Sequence, residues 1–381
     1  MTHTHLRALL TLLLLCVMTS THASKSTSAE ISTPKGTLRL TPIADNAIRV
    51  QLLVMPSEVD ELFYTSPEQP KFKTTRKGQN VTVAASGISA EYDAATDALT
   101  FRDAAGRVVL SEVADGRRLT PHAVQGMSTV ACAQRFVSPR GEALFGTGQF
   151  QDGVLNVRGL TRRLTQVNTQ IAIPMITSNR GYALLWNNYG LTDFNPSTAS
   201  VTLQPMQGEG KEVTVDVTST TGNKRETRRT NAFEARFSVE REGQYAILLD
   251  VGQRMGRKHN ISIDDVVLTD CNNLWLPPTT SVMTYLTAGE HHVVVEGDRG
   301  DHPVVSWRLN TDETEFRSPV SCGIDYTVFA GSADQCIATY RRVSGGMPMM
   351  PRWAPGYIHC RERYDTQQEL LENANEFRRR G

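Results

Sequence analysis

Apolar residues recur at every second position in short runs along most of the chain, and at helical spacing only in its last fifty residues. Residues 38–40, 47–54, 81–84, 88–92 and 108–111 alternate apolar with polar side chains, and Gly, Pro, Asn and Asp separate these runs at close intervals. A period of two puts successive side chains on opposite faces of a sheet, so the pattern predicts an antiparallel sandwich over roughly residues 37–203. Within it, IAIPMITSNRGYALLW (171–186) reads as a hairpin that turns at Asn179, Arg180 and Gly181.

The pattern breaks at TTGNKRETRRT (220–230), a polar, charged stretch that reads as a linker. A second β-rich block follows, with runs at 233–239, 245–251, 261–267, 281–286 and 292–296. The segment DETEFRSPVSCGIDYTVFAG (312–331) then returns to the earlier style, so the middle block reads as a module inserted into one sandwich. A helix follows, with Ser332 at its cap, Gln335 at the third position and Ile337 and Tyr340 on its apolar side. The GGMP at 345–348 marks a boundary. Beyond it, 353–360 is an apolar, strand-like run leading to a second helix. Asp365 and Thr366 can cap that helix, Gln368 and Glu369 can return the bond, and Leu370, Ala374 and Phe377 form its apolar stripe. Arg378, Arg379 and Arg380 then sit where cations favour a helix C-terminus. A parallel strand buries its faces only against parallel neighbours and covering helices. A single strand–helix unit has none, so the chain reads as the front part of something larger.

These readings divide the chain into a secretory signal at 1–23, a first sandwich part at 24–220, an inserted sandwich at 221–307, a return segment with its helix at 308–345, and a further unit at 346–381. The signal rests on Arg7, the apolar core 8–17 and the small residues Thr21 and Ala23 around His22. That apolar core is too short to span a bilayer, which takes about 20 residues, and no later stretch spans one either. The expectation is therefore export, to a periplasm, cell surface or medium, with a lipid on Cys16 as the alternative to a cleaved signal.

Composition narrows the partners. Lys plus Arg and Asp plus Glu number 40 each, and charged residues make up 21% of the chain. No basic field invites nucleic acid or an anionic membrane, which favours a neutral partner. Of six cysteines, the five after Cys16 are widely spaced and show no C-x-x-C, so free buried thiols are expected rather than a zinc or disulfide framework. The acidic pairs Asp264 with Asp265, and Asp298 with Asp301, read as solvated acids on a strand and in a loop, with calcium binding as the functional alternative. His291, His292 and His302 read as surface histidines.

Two stretches carry a resemblance. FGTGQFQDGVLNVRGLTRRLTQVNTQIAIPMITSNRGYALLWNNYGLTDFNP (145–196) is one, and DYTVFAG (325–331) with GGMPMMPRWAPGYIHCRERYDTQQELLENANEFRRRG (345–381) is the other. Both resemble glycoside hydrolase family 31, in its bacterial α-xylosidase and α-glucosidase branch. The inserted block, through GQYAILLDVGQRMGRKHNISIDDVVL (243–268) and NLWLPPTTS (273–281), resembles the protective-antigen-type β-sandwich found inserted in some of these α-xylosidases.

The resemblance implies a mostly β chain. A galactose-mutarotase-like N-terminal sandwich is interrupted by an inserted sandwich and followed by the first βα unit of an incomplete (β/α)8 barrel. It implies a retaining α-glycosidase of oligosaccharides that needs no cofactor, with a nucleophile and an acid/base about 5 Å apart. Those aspartates stand on later barrel strands, so no residue here inherits a catalytic role, and a non-catalytic, secreted glycan-binding module is the alternative. For substrate contacts the resemblance points to Asn156 and Arg158, in a loop (152–158) that reaches over the barrel mouth, to Asn188 and to His359. Loop-holding backbone bonds are the other reading of Asn156 and Arg158, and strand packing that of His359. Trp186 reads as core and Glu362 as an orienting acid between Arg361 and Arg363. The chain departs from the family pattern at Tyr357, Ile358, His359 and Cys360, which leaves xylose, glucose or another α-linked sugar open, and the oligomeric state is open too.

Overall fold

The computed structural model describes residues 27–56, 61–168, 170–207, 212–219, 222–253, 259–271, 277–361 and 363–381. The signal, Cys16 and Glu362 lie outside the described residues. The chain folds as two β-sandwiches, one built into the other, with two helices at its end.

The main sandwich pairs a seven-stranded with a nine-stranded antiparallel sheet. The first runs in the order 29–33, 36–44, 47–53, 323–330, 182–186, 171–178 and 144–149. The second runs 162–164, 192–194, 313–321, 127–137, 108–124, 98–103, 88–93, 80–84 and 73–77. Alternation decides what each strand buries. Along Gly323–Ala330, Ile324, Tyr326 and Val328 enter the core between the sheets, whereas Asp325, Thr327 and Phe329 face the other side. Trp186 is fully buried there, stacked on Phe316 at 5.8 Å and on Tyr326 at 6.5 Å, with its Nε1 donating to Ser318 Oγ at 2.9 Å. The helix Ala333–Val343 covers the outer face of the seven-stranded sheet through Cys336 and Val343 against Ala183, Leu185 and Phe329. Its capping box forms as the sequence predicts, between Ser332 and Gln335. Ile337 does not join its buried side. That residue is exposed, and Thr339 is buried in its place.

The inserted block forms a second sandwich. One sheet joins 199–202, 304–309, 243–250 and 279–286, and the other joins 204–205, 222–239, 289–298, 259–263 and 266–271. Strand pairing thus starts at Ala199, some twenty residues ahead of the boundary read at 221. Of the stretch read as a linker, the described residues 222–230 are strand: Glu212–Ser219 pairs with Gly222–Val239 from Glu212↔Arg229 to Ser219↔Gly222. Val213, Val215 and Val217 alternate with polar residues in the first of these strands, whereas the charged second strand has no apolar residue up to Thr230. The run 261–267 is likewise not one strand. Asp264 and Asp265, at φ 50° and 65°, make a two-residue turn between His259–Ile263 and Val266–Cys271, the geometry that matches the twist of a hairpin.

Residues 353–360 form no strand, only turns and irregular backbone. The helix Gln367–Arg380 behind them does form, with Thr366 Oγ1 accepting from the Glu369 backbone at 3.1 Å and Glu369 returning its bond to the Asp365 backbone. It buries none of its residues. No helix among the described residues is long and apolar enough to cross a membrane.

Candidate functional site

The segment 144–164 is held by its backbone first. Leu144–Gln149 is the edge strand of the seven-stranded sheet, and its register to Ile171–Ser178 shifts between Gly146 and Gly148. Gly146, Thr147 and Gly148 all take positive φ, at 122°, 66° and 111°. A Cβ on Gly148 would lie 1.9 Å from the Ile171 carbonyl oxygen, so only glycine fits. Thr147 is β-branched and fully buried in a conformation such residues avoid. What holds it there is Arg162, whose Nη1 donates to Thr147 Oγ1 at 2.5 Å.

Arg162 organises the next residues as well. Its Nη2 and Nε donate to Asp152 Oδ2 at 2.6 and 3.1 Å, and its guanidinium lies 4.2 Å from the Phe150 ring centroid. Burial draws the Arg162 pKa below its usual value, against the Asp152 carboxylate that supports the charge. Arg163 reaches the other way, to Asp193 at 3.3 Å and to Asp250 of the insert at 3.2 Å. Ser281 of the insert donates to the Thr161 carbonyl. A cleft between loop and insert, walled by Phe150, Asp152, Arg162, Gln170 and Ser281, has about 20 Å³ open to water. That is room for one water and not for a sugar ring. Gln170 is buried there, with Nε2 donating to the Thr165 carbonyl at 2.9 Å and Oε1 without a partner among the described residues.

The predicted contact residues are not brought to one place. Asn156 Oδ1 accepts from the backbones of Leu144 at 3.0 Å and Arg158 at 3.1 Å. Arg158 donates to the Ser138 carbonyl at 2.5 Å, the Thr311 carbonyl at 3.3 Å and Asp312 Oδ1 at 3.0 Å. Residues 311 and 312 are where the insert returns to the sandwich, so Arg158 fastens the insert's stem. Asn188 donates to the Val320 carbonyl at 3.0 Å and accepts from the Gly190 backbone. His359 lies in the exposed C-terminal unit, between the Tyr357 hydroxyl at 3.1 Å and the Tyr364 hydroxyl at 2.6 Å. The exposed apolar side chain of Leu155 stands at the loop tip. The two acidic pairs are turn residues: Asp298 Oδ1 accepts from the Gly300 backbone and Asp301 Oδ2 from the Asp298 backbone.

One carboxylate pair escaped the sequence reading. Glu61 and Asp325 both reach Arg49 Nη2, at 2.6 and 2.5 Å, on the outer face of the seven-stranded sheet. Such proximity mimics a retaining pair, but the chemistry differs. Arg49 Nε, Gln51 and Asn187 also donate to Asp325, so its oxygens are taken up by donors that favour the charged form. Burial pushes the Asp325 pKa up against them, while Arg49 holds Glu61 low against its own desolvation. An arginine between two acids makes an ion cluster, with no room for a scissile bond.

Comparison with known proteins identifies the architecture. No family model matches the chain. An uncharacterized family 31 glucosidase of Pseudescherichia vulneris is 28% identical over 176 residues, 40% of this chain and 32% of the relative. An alpha-xylosidase of Saccharolobus solfataricus is 22% identical over 353 residues, 89% of this chain and 32% of that protein. The chain thus spans about a third of the length of these relatives. Among solved structures, the family 31 alpha-xylosidase of Xanthomonas citri matches the fold with a TM-score of 0.70 at 24% identity, over 93% of this chain and 43% of that one. The motif stretches and these relatives point the same way: the chain is similar to proteins of glycoside hydrolase family 31 and shares the fold of one of its alpha-xylosidases.

Proposed function

We propose that these residues are the sandwich, insert and barrel approach of an exported retaining α-glycosidase that releases α-linked xylosyl or glucosyl residues from oligosaccharides. The similarity to an alpha-xylosidase over 89% of the chain carries this reading. On this reading the 381 residues alone do not hydrolyse glycosides: Arg49 stands between Glu61 and Asp325, Arg117 between Asp97 and Glu112, and the family's catalytic aspartates stand on later barrel strands. Substrate contact at the loop falls to Asn156, whose amide nitrogen has no partner among the described residues, and to the tip beside it. Arg158 serves as a staple. His359 and Asn188 contribute only where a barrel packs against them.

The test is an assay of purified residues 24–381 on aryl α-xylosides and α-glucosides. Release no faster than buffer is expected, and turnover at an ordinary enzymatic rate overturns the proposal. A second reading, glycan binding without cleavage, is favoured by Tyr285, an aromatic exposed on the edge strand Thr279–Leu286 of the insert. Calorimetric titration with xyloglucan oligosaccharides separates the two, because binding lost in Tyr285→Ala supports a module that holds glycans on its own.

A further inference from the structure

The insert carries a histidine in a setting that only its charged form satisfies. His291 is buried, with Nδ1 2.6 Å from Asp264 Oδ2 and Nε2 2.8 Å from the Thr287 carbonyl oxygen. Both partners are acceptors. A neutral imidazole has one N–H and would leave a lone pair facing an oxygen on its other side. The other carboxylate oxygen is also engaged, since Asp264 Oδ1 accepts from the His292 backbone at 2.9 Å, and these hydrogen bonds favour the charged carboxylate. We infer that His291 is a proton-held latch, which ties the Asp264 turn to the strand Gly289–Asp298 and releases the hairpin 259–271 as pH rises.

The turn needs such a tie. Asp264 and Asp265 both sit at positive φ without being glycine, which costs backbone energy that tertiary contacts must offset. The charges around the latch leave the assignment intact. Glu290 and His292, its neighbours on the strand, point to the opposite face and pair there with Arg236 and Glu234 of Gly222–Val239. The same strand presents the Phe237 ring to His291, 5.6 Å away, and Val304–Leu309 adds Trp307 behind it. Asp265 adjoins Asp264 in the turn. The consequence reaches the junction, because Cys271 ends this hairpin and Pro277 and Thr279 lie next along the described chain, all three lining the cleft against the loop.

The direction of the pH dependence follows. Hydrogen bonds to Asp264 and Thr287 raise the His291 pKa despite burial, and those to His291 and His292 lower that of Asp264 despite its desolvation. The histidine's contribution is complete below its ordinary value of about 6.5 and disappears as pH rises through the folded value. The aspartate's is present above its ordinary value and is lost as pH falls through its lowered one. The hairpin is therefore tightest between these limits.

The experiment is ring-nitrogen NMR on the whole chain labelled at histidine, with the His291 signal assigned by its loss in His291→Gln, together with amide exchange against pH. The expected result is a ring that titrates at higher pH than in a free peptide of residues 284–298, with both ring nitrogens protonated below that midpoint. Exchange protection over 259–271, corrected for intrinsic rate, then falls by up to about tenfold per pH unit between the two midpoints. In Asp264→Asn, which tolerates the left-handed turn and is read whether or not His291→Gln folds, the midpoint drops towards the peptide's. A ring that titrates no higher than in the peptide, or protection over 259–271 that follows the rest of the insert at every pH, overturns the latch. This inference stands apart from the glycosidase reading, and an inactive protein leaves it untouched.

Discussion

The junction between sandwich and insert, and the unit 346–381, obey opposite rules. At the junction the residues are polar and irregular, yet Thr147, Arg162 and Gln170 are buried and nearly every donor is used. In 346–381 the local signals are better, with a capped and amphipathic helix, yet Trp353 and Tyr357 stay 73% and 75% exposed and the helix buries nothing. Local sequence sets whether a helix can start and stop, and a partner surface sets whether its apolar stripe is covered. Burial thus follows from neighbours far along the chain, here the insert for the loop.

Three substitutions bear on that contrast. The largest effect is expected from Arg162→Ala, which leaves Asp152 without its counter-ion and Thr147 without its donor. Removing one partner of a buried pair costs about 3–5 kcal/mol, seen as a lower urea midpoint for the sandwich. A loss below about 1 kcal/mol means the loop is held by something else. Arg158→Ala is expected to cost about 1–3 kcal/mol by orphaning the Ser138 and Thr311 carbonyls, with faster amide exchange at 310–312. Unchanged exchange there contradicts the staple. The smallest effect is expected at Phe377, where serine changes stability by no more than about 0.5 kcal/mol and raises solubility by removing exposed apolar surface. Thermal unfolding and light scattering read both, and a large destabilisation shows that the helix is packed after all.

The same contrast explains what was legible. The main strands, the hairpin around Asn179 to Gly181 and the Ser332–Gln335 box were readable because their causes are local: alternation, a glycine at φ 84°, a cap three residues from its partner. Trp186 was readable because an apolar strand has one buried destiny. The failures share a distant cause. The strand Glu212–Ser219 does alternate, through Val213, Val215 and Val217, but the charged stretch that pairs with it from Gly222 on has no apolar residue to announce a strand. Residues 353–360 have strand-like composition but pair with no strand among the described residues. The role of Arg158 depends on oxygens 20 and 153 residues away, and the Arg49 cluster joins residues 276 apart. No window of sequence holds both ends of such contacts.

The stem of the insert has a consequence for the history of the fold. The strands that flank it, Thr192–Phe194 and Glu313–Ser321, are hydrogen-bonded neighbours with Phe194 directly opposite Phe316. The chain therefore leaves the sandwich and re-enters it at adjacent points, whatever lies between. Closing a flexible excursion costs only about 0.6 kcal/mol more for each doubling of its length. A lineage can gain, lose or exchange a module of this size at that point while the host sheet keeps every one of its ladders.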